Sequence, residues 1–471
     1  MIRTSYAWIN LVKALAGVGV FALPIAFQQA GLWVGTILTF ILGVANAHCM
    51  IKLVKCSQYL SKRRDSTKNS SMFTMKYHSP QASDDEREKD YLKSNATHYE
   101  KEALQSNLTG EDGHKIKETS LDYGDMAKEA FVTRESCFLK CLGVPAKFAV
   151  NVCLVLLQLG ICSVFYIFVS DHIKELIDLI FKTDVSLKII FLVMIPFFIL
   201  LTSVQNLFLM SCISLTGNVL ITVAIAIVLV KLAMMPHIPL SQLAGATTIS
   251  AAARAAGSIT YSYAAQAVVL PLENKMRHPE KMLGFFGVIT TSVAFVGVLY
   301  AAVAILGYIT YGSDLHGSIT LNLTNKPLDL SVKIMLLLMT YCGYLIQHYP
   351  IFQMIWPLMR RCVDRAPKCL SWTANYTLRY ATVILSFLLA ISIPNLEEII
   401  PIIGVTTGML LAFVFPAVIE SVVFWEQWRK RGCFVLIPNI ILNIIYTLLG
   451  ILFLVIGVHA NIVSMTTSKN V

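Results

Sequence analysis

Charge is what this chain of 471 residues has least of. Asp, Glu, Lys and Arg make up 14% of it, against 56% apolar residues and a mean hydropathy of +0.66. A soluble globular chain carries roughly 25% charged residues. The stock is also uneven, with 29 of the 66 charges inside residues 61–143. Such a composition excludes secreted enzymes and disulfide scaffolds and belongs in a bilayer. The formal net charge of +10 sits in short connectors between apolar runs instead of on one basic face, which argues against nucleic acid as a partner. Asp is nearly missing from the apolar runs and no His-Glu-x-x-His occurs, so no intramembrane hydrolase set is present and no enzyme is expected. None of the 11 cysteines falls in a loop predicted to face outward, so no structural disulfide is implied. Cys137 and Cys141 lack the second Cys or His pair that a zinc site needs, and no metal is expected. The first apolar run has no small-residue cleavage site, holds Lys13, and continues through Gly17, Gly19 and Pro24; it reads as a working helix and not as a cleavable signal.

Long apolar sequence is what the chain has in abundance. A helix needs at least about 17 such residues to span the hydrocarbon core. Eleven runs qualify: 8–28, 32–54, 148–170, 187–204, 206–232, 255–272, 283–311, 328–357, 378–393, 398–424 and 434–458. The ninth is short and opens beside Arg379. Barrel strands would be about 10 residues long and alternate in polarity, which these do not. The expected fold is therefore an all-α multi-pass membrane protein of about 11 transmembrane helices. Residues 1–60 hold the first two, 121–460 the remaining nine, and 461–471 a short tail outside or in a lumen. Residues 61–120, polar and mixed in charge, read as a disordered cytosolic insert. A short helix over 121–131, capped by Asp122, is predicted to follow it, and 138–147 to lie along the membrane surface. With the amino terminus in the cytosol, the short inner loops carry ten Lys and Arg (Lys275 and Arg429 among them) and the outer side five, which fixes the orientation. The sequon at Asn322 then faces outward, where a glycan can be added. Those at Asn69, Asn95 and Asn107 fall in the cytosolic insert and stay bare.

Two of the runs are interrupted in a matching way. The first carries Gly17-Val18-Gly19 and then Leu23-Pro24; the sixth carries Gly257, Ala264-Ala265 and then Leu270-Pro271. First and sixth are the positions that a five-plus-five repeat pairs, and discontinuous helices at such positions are how many carriers hold a substrate at the midplane. Gly and Ala also simply let helices pack closely while Pro kinks them, so the spacing leaves both accounts open. Broken helices suit a zwitterion. N–H groups freed at Gly17, Val18, Gly19 and Val20 would face a carboxylate at a half-helix amino terminus. Carbonyls freed at Tyr263, Ala264 and Ala265 would accept from an ammonium group. Tyr261 and Tyr263 could wall or gate the space.

These stretches carry a family likeness. Lys13-Ala14-Leu15-Ala16-Gly17-Val18-Gly19 with Leu23-Pro24 and Asn46-Ala47-His48-Cys49-Met50, then Val268-Val269-Leu270-Pro271-Leu272-Glu273-Asn274-Lys275-Met276, then Ile393-Pro394-Asn395-Leu396-Glu397 resemble the amino acid/auxin permease family, and within it the proton-coupled amino acid transporter branch. The likeness covers nearly everything but the insert. It implies two inverted five-helix repeats plus one extra helix, and amino acids as substrates. The departures are polar residues traded for apolar ones. Ala14, Leu15 and Val18 stand in a span-one pattern that usually reads Gly-Asn-Ile-Gly-Thr-Gly. Tyr263-Ala264-Ala265 stands for Phe-Glu-Gly, and Asn10 for a His three residues before Lys13. The backbone could still hold an amino acid, but the expected titratable groups for proton coupling are gone.

The remaining candidates for gating or proton coupling are Lys13, His48, Glu273 and His348, ionisable groups in or at the ends of spans. Each also has a plain account as an interfacial, snorkelling or satisfied core residue. The expected function is a secondary carrier of small or neutral amino acids working by alternating access, with proton co-transport left open and no other cofactor. The alternative is a transporter-like sensor that binds an amino acid and carries little flux. The expected partners are the amino acid and membrane lipid, with no protein partner legible, and the membrane is lysosomal, endosomal or plasma.

Overall fold

The architecture follows from the apolar runs, every one of which is helical. The structure, a computed structural model, describes residues 2–77, 121–134, 136–324, 326–363 and 368–469. Met1–Cys56 together with Asp122–Val471 form one unit, and Ser57–Leu121 a second. In chain order the helices are α1 (Thr4–Leu15), α2 (Gly19–Ala30), α3 (Leu32–Tyr77), α4 (Tyr123–Val132), α5 (Cys137–Phe181), α6 (Leu187–Thr202) and α7 (Leu207–Met234). They continue with α8 (Ile249–Ser262), α9 (Gln266–Lys275), α10 (Val288–Tyr311), α11 (Pro327–Val363), α12 (Lys368–Ser392), α13 (Leu396–Arg431) and α14 (Cys433–Lys469). No strand occurs among the described residues.

Eight helices are long and apolar enough to cross a bilayer, and the α1–α2 pair, bent by 52°, makes a ninth. The other two expected spans fall on the 16-residue α6 and on α8–α9, both helical but short of that test as single elements. Eleven crossings are compatible with this set. The ninth run is longer than its apolar core, because α12 begins at Lys368 and absorbs Arg379. That guanidinium is buried, donates to Asn375 Oδ1 and to the Thr202 carbonyl at the end of α6, and lies 4.0 Å over the Phe352 ring. A cation at a helix carboxyl end meets its dipole, so the charge is accommodated inside the span.

Two expectations change. Helix α3 runs on past residue 61 to Tyr77, into the stretch read as disordered; 61–77 contains neither Gly nor Pro to stop it. Residues 78–120, with Asn95 and Asn107, lie outside the described residues. Residues 138–147 are the first turns of α5 and not a separate surface segment. The short helix after the insert is present as α4, and Asp122 caps it by accepting from the Asp125 N–H at 2.6 Å.

The packing is concentric. In α5 72% of the most apolar window is buried, in α14 only 17%, so α5 is central and α14 offers its side chains to lipid. Helix α8 lies against α2, α13 and α14; α2 also meets α10, and α5 holds α11, α12 and α4. Helix α13 contains two π-helical stretches, Gly404–Gly408 and Leu410–Val414. There α8 and α13 touch backbone to backbone: a Cβ on Gly404 would lie 1.8 Å from the Gly257 carbonyl oxygen. Only glycine permits that approach.

Candidate functional site: two facing helix breaks

The first break lies between Leu15 and Gly19. The N–H of Ala16 still reaches the Val12 carbonyl, and that of Gly17 turns back to Leu15 O at 2.7 Å. Helix α2 restarts at Gly19 with Val18 as its N-cap. The second break lies between Ser262 and Gln266, where Ala264 N–H bonds Tyr261 O and Ala265 N–H bonds Tyr263 O. The halves pair in opposite senses. Helix α1 packs on α9, while α2 packs on α8. A backbone bridge of Ile2 with Lys275 and Arg277 (2.8 and 3.0 Å) ties the start of α1 to the end of α9. Antiparallel pairing of two broken helices is the arrangement that inverted repeats produce.

One side chain joins the breaks. The buried Tyr300 hydroxyl of α10 lies 2.6 Å from Leu15 O and 2.7 Å from Ser262 O, the terminal carbonyls of α1 and α8. Gly19 meets Ser262 so closely that a Cβ on it would sit 2.7 Å from the serine Oγ. A Cβ on Gly17 would meet nothing within 4 Å. The unwound backbone therefore borders open space at Gly17 and a tight crossing two residues later.

The expected donors and acceptors are only partly free. Gly17 N–H is used within the turn. Among the described residues the N–H groups of Val18 and Gly19 meet no acceptor, and they are the ones that point outward from the amino end of α2. The N–H of Val20 bonds Gly17 O at 3.2 Å. On the other break, Tyr263 O accepts from Asn46 Nδ2 at 3.3 Å as well as from Ala265. Ala265 O serves α9, which leaves the carbonyls of Ala16 and Ala264 without a donor among the described residues. Both of these residues are half-buried. Tyr261 is buried. Tyr263 turns its hydroxyl away from the breaks, into a crevice where Cβ atoms on Gly43 and Gly297 would touch it at 2.8 and 3.0 Å.

The titratable candidates do not gather at the breaks. Lys13 is half-buried in the last turn of α1, two residues before its end. Its charge there faces the carboxyl end of the half-helix. Glu273 is buried in α9 near its carboxyl end. His348 is buried between α11 and α12, with Nε2 2.5 Å from Thr382 Oγ1. His48, half-buried on α3, has Nδ1 2.9 Å from the Tyr446 hydroxyl of α14. Asn322 lies in the loop after α10, its Nδ2 donating to Asp314 O and its Oδ1 accepting from the His316 N–H.

Residues outside the expected substrate-binding set complete the site, Asn46 having stood only in a stretch that carries the family likeness. Asn46 and Gln266 are both buried, and Gln266 Nε2 donates to Asn46 Oδ1 at 2.9 Å, bracing the amide that donates to Tyr263 O. Buried amides in apolar runs were the available signal, since an unpaired one is costly. Replacing Asn46 by Ala should strand the Gln266 amide and loosen the second break. A several-fold drop in uptake with normal membrane insertion is the expected result, checked by flux against surface-labelled protein. Tyr300 gave no signal, being one aromatic in a long apolar run.

The chain matches the family described as "Transmembrane amino acid transporter protein" over residues 2–77 and 104–463. It is 26% identical over 471 residues to the "Probable amino acid transporter skat-1" of Caenorhabditis elegans, covering 98% of this chain and 90% of the relative. It is likewise 26% identical over 454 residues to the "Proton-coupled amino acid transporter-like protein pathetic" of Drosophila melanogaster, covering 96% of this chain and 83% of the relative. Residue pattern, spans and paired breaks agree: the chain is a multi-pass membrane protein of the transmembrane amino acid transporter family and not an enzyme.

Proposed function

We propose that this protein moves small neutral amino acids across a membrane by alternating access around the two helix breaks. The observation that carries the reading is the open space at Gly17 beside two unpaired N–H groups and two unpaired carbonyls. A carboxylate fits Val18 and Gly19 N–H at the positive end of α2. An ammonium fits the carbonyls of Ala16 and Ala264 at the negative ends of α1 and α8. Ala264, Ala265, Val18 and Val20 leave only an apolar surface beside them, which favours a small uncharged side chain. Rocking of the broken pair against α5, α11 and α12 would expose the site to either side in turn. Because these helices contribute no acid to the substrate, coupling to protons requires a group elsewhere.

The test is uptake of a tritiated mixture of glycine, alanine, serine and proline into proteoliposomes of the purified protein, with and without an inward proton gradient. Saturable uptake supports the carrier. Saturable binding without uptake would replace it with the sensor. The amino terminus in the cytosol and a lysosomal, endosomal or plasma membrane complete the proposal. They predict that Asn322 carries a glycan: glycosidase treatment should shift the gel mobility of the wild type and leave Asn322→Gln unchanged. No shift in the wild type would count against this orientation.

A further inference from the structure

We infer that Glu420, held in a buried ion pair with Lys52, is the site where this carrier takes up and releases its proton; the inference rests on the carrier reading above. Lys52 of α3 and Glu420 of α13 are 1% and 8% exposed and in direct contact. Charges withdrawn this far from water inside a membrane are costly and mark a function by default. Replacing such a pair by apolar side chains is often neutral for stability, so stability alone does not account for it.

The surroundings give Lys52 partners besides Glu420. Lys52 Nζ also donates to Asn443 Oδ1 of α14 at 2.8 Å and lies 5.7 Å over the Tyr446 ring. Asn443 Nδ2 donates to Glu420 Oε2 at 3.0 Å and to Ser421 Oγ at 2.9 Å. When Glu420 becomes neutral, the ammonium therefore keeps an amide oxygen and an aromatic face. The other ionisable groups around the pair are His48, Cys49, Lys55 and Cys56 of α3, Tyr446 of α14, and Tyr123 of α4. Of these, Lys55 is exposed and His48 half-buried, its Nδ1 bonded to the Tyr446 hydroxyl; Cys49, Cys56 and Tyr123 are buried. No second carboxylate competes with Glu420 among these groups.

The step balances simply. A proton from water bonds to a Glu420 carboxylate oxygen, and the pair passes from net zero to one positive charge while Lys52 stays protonated. On the other side of the cycle that O–H bond breaks, its electron pair stays on Glu420 and the proton returns to water. Coupling to the substrate runs along α3. Asn46, six residues before Lys52 and about 9 Å along the axis at 1.5 Å per residue, bonds Tyr263 O and Gln266 at the second break. One rigid helix thus touches both the proton site and the substrate site.

The test uses the full-length protein in proteoliposomes with the tritiated glycine, alanine, serine and proline mixture as probe. Uptake is read with and without an inward proton gradient. Counterflow is read at equal pH, where exchange needs binding and alternation but no net proton movement. Glu420→Gln should lose the gradient stimulation seen in the wild type and keep counterflow. Should the unpaired Lys52 prevent that variant from folding, Lys52→Met combined with Glu420→Gln removes both charges and should behave the same way. His48→Gln should keep the stimulation. Stimulation that survives in the double variant overturns the inference. So does a wild type that exchanges amino acids yet ignores the gradient, which leaves the carrier standing. A wild type with neither uptake nor counterflow overturns the carrier reading itself.

Discussion

Gly19→Leu is expected to abolish uptake and lower thermal stability, whereas Gly17→Leu should abolish uptake in a protein that folds and melts like the wild type. The two glycines stand at one break and face different surroundings. A Cβ on Gly19 would lie 2.7 Å from Ser262 Oγ and 3.1 Å from Ser262 Cα, so any larger residue pushes α2 off α8. Overpacking of this kind costs about 1–3 kcal/mol for a methyl-sized insertion, and more for a leucine. Gly19→Ala should already impair uptake roughly tenfold, on the scale of about 1.4 kcal/mol per decade. Ser262→Gly removes the two side-chain atoms nearest that methyl and should restore much of the loss in the double variant. At Gly17 the methyl meets nothing within 4 Å, so the fold has room and the effect of a longer side chain is to occupy the space proposed for the carboxylate. Thermal melting and saturation kinetics measured on the same preparations separate the cases. A Gly17→Leu protein that transports normally would place the substrate elsewhere.

What the sequence made legible follows the strength of the physical constraint behind it. A bilayer leaves no alternative to long apolar helices, so the apolar runs could be marked from composition, and eight of them, or nine with the bent pair, are long and apolar enough to cross. The breaks were readable because Gly17, Gly19, Pro24 and Pro271 disturb helices locally. Contacts between distant residues were not readable. Tyr300 reaches Leu15 across 285 positions and Ser262 across 38, and nothing in a run of apolar residues announces that its hydroxyl will bridge two carbonyls. Lys52 and Glu420, 368 positions apart, did leave a signal, since each is a charge near or within an apolar run. Histidine is the side chain that ordinarily titrates near neutral pH, yet it is Lys52, one turn beyond His48 on α3, that holds a buried charge, paired with Glu420 of α13. Backbone unwinding was also foreseen more generously than the structure bears out. The free N–H groups at the first break are two, at Val18 and Gly19, because the chain folds Gly17 back on Leu15.

Tyr300→Phe is expected to slow transport about tenfold and lower the melting temperature, although the ring and its packing against Tyr263 are kept. The phenylalanine leaves the Ser262 carbonyl without its hydroxyl donor and the Leu15 carbonyl with only the Gly17 N–H, inside a site where no other side chain among the described residues reaches both. An unsatisfied buried polar group costs about 1–3 kcal/mol. The larger consequence is positional. The carbonyls terminate α1 and α8, the two half-helices whose negative ends border the proposed ammonium position. The hydroxyl between them holds both ends at one spacing across every movement of the broken pair. Without it the ends repel, and each can turn its carbonyl towards water or towards the substrate. Binding of an amino acid should then weaken less than its translocation, because an ammonium group can substitute for the lost donor in the loaded state. The expected signature is a lower maximal rate with a Michaelis constant that moves little, measured by concentration-dependent uptake in proteoliposomes. An unchanged maximal rate would mean that the two breaks need no brace and move independently.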